Sequence, residues 1–170
     1  MFAAGQLVIY GGEGVCRVEK IGPAAIPGAD RTRVYYTLAP QSRTGQVLTP
    51  VDTPVLMRPV ISREEALSFI AALPALPVPE MHDTGVRAVK ALYQAEVSSY
   101  DTARLAGLVK LIGRKRTAGQ ARGKKPSALD ERYLRRAEDL LCGELCAALG
   151  EDRSAVMERI RRADPEWPLS

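Results

Sequence analysis

Apolar and polar positions alternate in the first sixty residues and then switch to a helical repeat. Gln6–Tyr10 (QLVIY) is a short apolar run. Gly14–Ile21 (GVCRVEKI) alternates imperfectly, with Val15, Arg17 and Glu19 on one side and Cys16, Val18 and Lys20 on the other. Arg33–Ala39 (RVYYTLA) and Gly45–Val51 (GQVLTPV) read as two further strands. The stretches between them, around Gly11, Gly12 and Gly14, then GPAAIPGAD, then PQSRTG, are rich in turn residues. Short strands with no helix between them predict a small antiparallel barrel or a strongly bent sheet.

The period changes at Ile61. Ser62 is followed three residues later by Glu65, the spacing of a capping box, and Ala66, Phe69, Ile70 and Leu73 repeat at helical intervals. Pro74, Pro77 and Pro79 then exclude both a continuing helix and a central strand, so residues 61–80 are expected to be a helix and a proline-rich hinge, or a stiff lead into the second domain. Beyond it come Val86, Val89, Tyr93 and Val97, then Leu105, Leu108, Val109 and Ile112. A third stripe, Leu134, Ala137, Leu141, Leu145 and Ala148, begins at a second capping pair, Ser127 and Asp130, and stops at Gly150. A last helix is expected over Arg153–Arg162, ended by Asp164-Pro165. The reading is α+β in two domains: a β domain over 1–60 and a compact all-α bundle over 81–170.

Composition narrows the function. The chain is 46% hydrophobic and 26% charged, enough to build a core, and no apolar run is long enough to span a membrane. No signal-peptide pattern opens it, so a cytoplasmic, membrane-free monomer is expected. Three cysteines and one histidine, His82, give no metal-ligand spacing, and Cys142 and Cys146 read as small core hydrophobes. No phosphate loop and no nucleophile–base set occurs, so neither catalysis nor a cofactor is expected.

Charge is unevenly spread. Residues 1–80 hold seven Lys/Arg and seven Asp/Glu, whereas 81–170 hold seventeen and thirteen. Between Thr102 and Leu129 lie eight cations and no acid: Arg104, Lys110, Arg114, Lys115, Arg116, Arg122, Lys124 and Lys125. Either this is a solvated face, with Arg114–Arg116 favoured at a helix C-terminus, or it meets a polyanion. With Arg87 and Lys90, the cations Lys110, Arg114, Lys115, Arg116, Lys124 and Lys125 are the candidate nucleic-acid contacts.

The N-terminal half resembles the RNA polymerase-interacting domain of the bacterial CarD/CdnL family, which transcription-repair coupling factor shares. The resemblance rests on MFAAGQLVIYGGEGVCRVEKI, YYTL, GQVLTPVD and LMRPVIS, in that order and spacing. SALDERYLRRAEDLLCGEL, with its GEL triplet at Gly143–Leu145, is similar to the long helix of the family's helical domain. The resemblance implies a Tudor-like barrel that adds a strand to the polymerase β subunit, and a helical domain at the upstream edge of the transcription bubble. There it implies backbone contacts to promoter DNA, of low intrinsic affinity, that shift open-complex stability. Candidate polymerase contacts are Arg43, Val47, Leu48, Thr49 and Arg58. The pattern departs from the family twice. Leu48 stands where many members carry an arginine, and PEMHDTGVRAVKALY lacks the tryptophan expected near the first bundle helix, leaving Met81, His82 or Val86 nearest that position, with Val86 expected in the core. Trp167 lies far from it. The alternative reading is a general nucleic-acid-binding module, RNA- or ribosome-associated, without polymerase contact.

Overall fold

The computed structural model describes residues 1–168. The chain divides into two compact units, Met1–Ile61 and a second starting at Ser62.

The first unit is a five-stranded antiparallel sheet: β1 (Leu7–Tyr10), β2 (Gly14–Gly22), β3 (Tyr35–Pro40), β4 (Val47–Pro50) and β5 (Met57–Pro59), in the order β4-β3-β2-β1-β5. Val8, Tyr10, Cys16, Val18, Tyr36 and Leu38 form its core, with Phe2, Ile21, Val47, Val51 and Met57 against them. The sheet is strongly bent. Tyr10 on β1 donates its hydroxyl to Thr49 Oγ1 on β4, 3.1 Å away across two intervening strands. β4 and β5 nevertheless end the sheet without pairing to each other, so it stays open. A bulge explains the imperfect alternation of β2. The register shifts between Val18 and Lys20, so Ile21, not Lys20, faces the core opposite Tyr36.

The second unit holds α1 (Arg63–Ala72), a 3₁₀ turn (Leu73–Ala75), α2 (Val86–Ser98), α3 (Thr102–Ala121), α4 (Ala128–Leu149) and α5 (Arg153–Ala163). Caps set the boundaries as the sequence suggests. Ser62 and Glu65 form the full reciprocal box, Ser127 accepts from Asp130 N–H, and Gly150 closes α4 at φ +64°. The helix and prolines of 61–80 fall, from Ser62 onward, within the second compact unit. α1 buries Ala66 and Ile70, and Arg63 donates to the Leu149 carbonyl at 2.6 Å. Pro77 and Pro79 lie on α3 at Gly107, where a Cβ would come within 3.1 Å of Pro77 O and 3.2 Å of Pro79 Cδ. Moving the boundary also removes the charge asymmetry. Residues 1–61 hold six cations and four acids, and 62–170 hold eighteen and sixteen, an excess of two in each. What remains distinctive is the local run without acids.

Candidate functional site

Each free side of the sheet is a candidate for strand addition, and hydrogen-bond phase shows which backbone groups each one presents. Val51 N–H donates to Val34 O, which makes Val34/Val51 a hydrogen-bonded pair of the β3–β4 ladder. In an antiparallel ladder such pairs alternate, so Tyr36/Thr49 and Leu38/Val47 are also bonded across. The N–H and C=O of Leu48 and the C=O of Pro50 therefore point away from β3, with no described strand beyond them. The opposite edge shows the same phase, but its proline carbonyl is already occupied. Gly11 N–H to Leu56 O and Val60 N–H to Leu7 O turn Met57 and Pro59 outward from β1. Pro59 has no N–H, and Arg58 Nη1 donates to its carbonyl at 3.0 Å.

Of the candidate polymerase contacts, then, Leu48 presents its backbone at an open edge, and Val47 is half-buried beside it. Thr49 is corrected: it is 2% exposed, its side chain meets Tyr10, and its backbone faces β3. Arg58 lies on the other edge of the sheet. Arg43 sits in the β3–β4 loop, held as a fork by Glu13 (Nε to Oε2 3.0 Å, Nη2 to Oε1 2.8 Å), with Nη1 on the Thr44 carbonyl at 3.2 Å. It staples the loop that leads into β4. Next to it, Gln46 Nε2 donates to Glu19 Oε2 at 2.5 Å. Neither Glu13 nor Glu19 was visible as part of this edge in the sequence, because strand pairing brings them there: the β2–β3 register, continued past Cys16/Pro40, sets Glu13 opposite Arg43.

The candidate cations fall into three groups. Lys110 is corrected outright: its side chain is 8% exposed, its ammonium donates to the Leu73 carbonyl, and it pairs with Asp164 at 3.1 Å. Lys115 is half-exposed but bound to Asp130 at 3.1 Å, and its ammonium lies 5.9 Å from the centroid of the Tyr93 ring. Tyr93 donates to the same Asp130 oxygen at 2.7 Å, and burial, helped by that carboxylate, pushes its phenol well above the usual range. Arg116 is partly buried in a cleft of about 400 Å³ beside Glu131, Arg135 and Asp139. The third group, Arg87, Lys90, Arg114, Lys124 and Lys125, is exposed and forms no ion pair with an acid among the described residues. Arg122, at the end of α3, shares these properties.

This third group is spread over α2, α3 and the α3–α4 connection. α2 and α3 are antiparallel neighbours joined by Ser99–Asp101, with Glu96 bonded to Arg104 near the joint and Tyr93 meeting Lys115 farther along. Lys90 and Arg87 lie on α2 beyond Tyr93 from that joint, and Arg122–Lys125 lead from α3 into α4. The helix-dipole reading of Arg114–Arg116 is corrected too. α3 runs on to Ala121, and its last turn holds no basic residue. Val86, expected in the core, is 77% exposed at the first position of α2. Trp167, by contrast, is 3% exposed in the helical unit.

Residues 2–61 match the family model described as CarD-like/TRCF RID domain. No curated protein shows significant similarity to the chain. The match ends where the first compact unit ends, and it contains every strand of the sheet. Residues 2–61, the first compact unit, are thus a CarD-like/TRCF RID domain, the RNA polymerase-interacting module shared with transcription-repair coupling factor.

Proposed function

We propose that this protein is a transcription regulator that adds the polymerase β subunit to its sheet at β4 and rests the cationic end of its helical unit on promoter DNA near the upstream edge of the bubble. The effect is a shift in open-complex stability, achieved by binding and without catalysis. The observation that carries the reading is the outward backbone of Leu48 at an open edge of an RNA polymerase-interacting domain. Backbone pairing supplies affinity there, and the side chains along the edge supply selectivity. Clustered exposed cations support the DNA half of the reading, since counterion release favours phosphate contact irrespective of sequence. A polymerase grip raises the local concentration of DNA for a surface that binds it weakly by itself.

The test is retention of the full-length protein by purified core polymerase at low salt, for the wild type and Leu48→Pro. Proline at position 48 removes an outward N–H and no bond within the sheet, so the domain keeps its fold. Binding that weakens about tenfold or more in the variant, as loss of interfacial backbone pairing predicts, supports the reading. Absence of wild-type retention, with duplex or RNA binding intact, would favour the nucleic-acid module that acts without polymerase.

A further inference from the structure

One face of α3 carries Gly107, Lys110 and Gly113, three residues apart and so in a row. Two proline-containing segments lie on it. At Gly107 the occupant is the connection between α1 and α2, through Pro77 and Pro79. At Gly113 it is the segment after α5: a Cβ there would overlap Pro168 Cγ and come within 2.6 Å of Pro168 Cβ. Gly119, also in α3, has nothing nearer than Lys124 Cβ at 3.8 Å. The first two glycines therefore permit close approach, and the third serves no such purpose.

Lys110 sits between them and touches both segments. Its ammonium donates to the Leu73 carbonyl, at the start of the α1–α2 connection, and pairs with Asp164, at the start of the C-terminal segment. Asp164 in turn orders that segment. Its backbone carbonyl accepts from Trp167 N–H at 3.0 Å, and its carboxylate accepts from Glu166 N–H at 3.2 Å. Trp167 is then buried and Pro168 is seated on Gly113.

We infer that Asp164–Pro168 is a clamp that holds the α1–α2 connection against α3, with Lys110 as the shared pin. Neither segment keeps its place independently. Removing the Asp164 charge leaves the ammonium buried with one neutral acceptor, so the Leu73 contact loosens as well. The connection leads into α2, which carries Arg87 and Lys90, so the clamp sets how firmly that helix begins. None of this depends on the polymerase reading.

Gly113→Ala in the full-length protein tests it, with Gly143→Ala as the matched control, because a Cβ at Gly143 meets nothing within 4 Å. Both changes improve helix propensity, and only the first evicts Pro168. The chain's one tryptophan is in the clamp, so its emission reports eviction directly. Expected for Gly113→Ala is red-shifted emission together with about tenfold faster amide exchange across residues 73–79, while exchange in the α4 core stays unchanged. Asp164→Asn should give the same exchange pattern, and Gly143→Ala neither effect. Red-shifted emission without faster exchange at 73–79 would reduce the segment to a local cover. Exchange that rises evenly through all the helices would reduce it to general stabilisation, and unmoved emission would place it elsewhere. Any of these overturns the clamp.

Discussion

Lys110 belongs by sequence to a run of eight cations without an acid, and by structure to the interior. Its counter-charge is Asp164, remote in sequence, and no count of neighbouring charges reveals such a pair. Breaking a buried pair from one side strands the other charge. Lys110→Ala should therefore cost about 3–5 kcal/mol, whereas Arg114→Ala, a few residues along the same helix, should stay within about 0.5 kcal/mol. Denaturant unfolding followed by Trp167 fluorescence measures both. Two thiols give a pH prediction. Burial pushes Cys142 up to about 12, and burial with help from Glu13 pushes Cys16 up to about 11, from an ordinary 9.0. Above pH 9 the unfolded chain loses protons that the folded chain retains. Stability contributed by these groups is thus present at neutral pH and declines as pH rises toward about 11. Comparing stabilities at pH 8 and 10 for the wild type and Cys142→Ala checks the sign: the decline should be smaller in the variant.

Among the elements, those that close on local chemistry were legible. Ser62/Glu65, Ser127/Asp130 and Gly150 mark helix ends by side-chain capping or by a left-handed residue, and the structure keeps all three. Ser62→Ala should destabilise the helical unit by about 1 kcal/mol, read as a lowered denaturation midpoint with unchanged slope. β5 was not legible: three residues ending in proline carry no period, and such a strand exists because β1 offers it an edge. The bulge in β2 was written in the sequence as broken alternation, but its consequence, Ile21 inward in place of Lys20, needs the register of β3. α3 outruns its apolar stripe by two turns because Thr117–Ala121 contains no breaker stronger than Gly119. Of the candidate site, the phase of the ladder, which the sequence cannot supply, turns the Leu48 backbone outward and the Thr49 backbone toward β3.

At the scale of the whole molecule, net charge is shared evenly between the units, so a polyanion surface has to be argued from arrangement. Arg114, Lys124 and Lys125 are exposed without acid partners at one end of the bundle, while Lys115 and Lys110 are already committed to Asp130 and Asp164. Cations that release counterions from duplex DNA lower the slope of log affinity against log salt by about 0.9 for each phosphate neutralised. Replacing Arg114, Lys124 and Lys125 together by glutamine should flatten that slope by up to about 2.7 in promoter-complex association, and by the same amount on unrelated sequences. Lys115→Gln, which removes a cation occupied by Asp130, should flatten it far less. Titrating the polymerase–promoter complex with each variant between low and physiological salt separates the two. Equal slopes for the triple variant and the wild type would mean that the run is a solvated face, and would remove the DNA half of the proposed function.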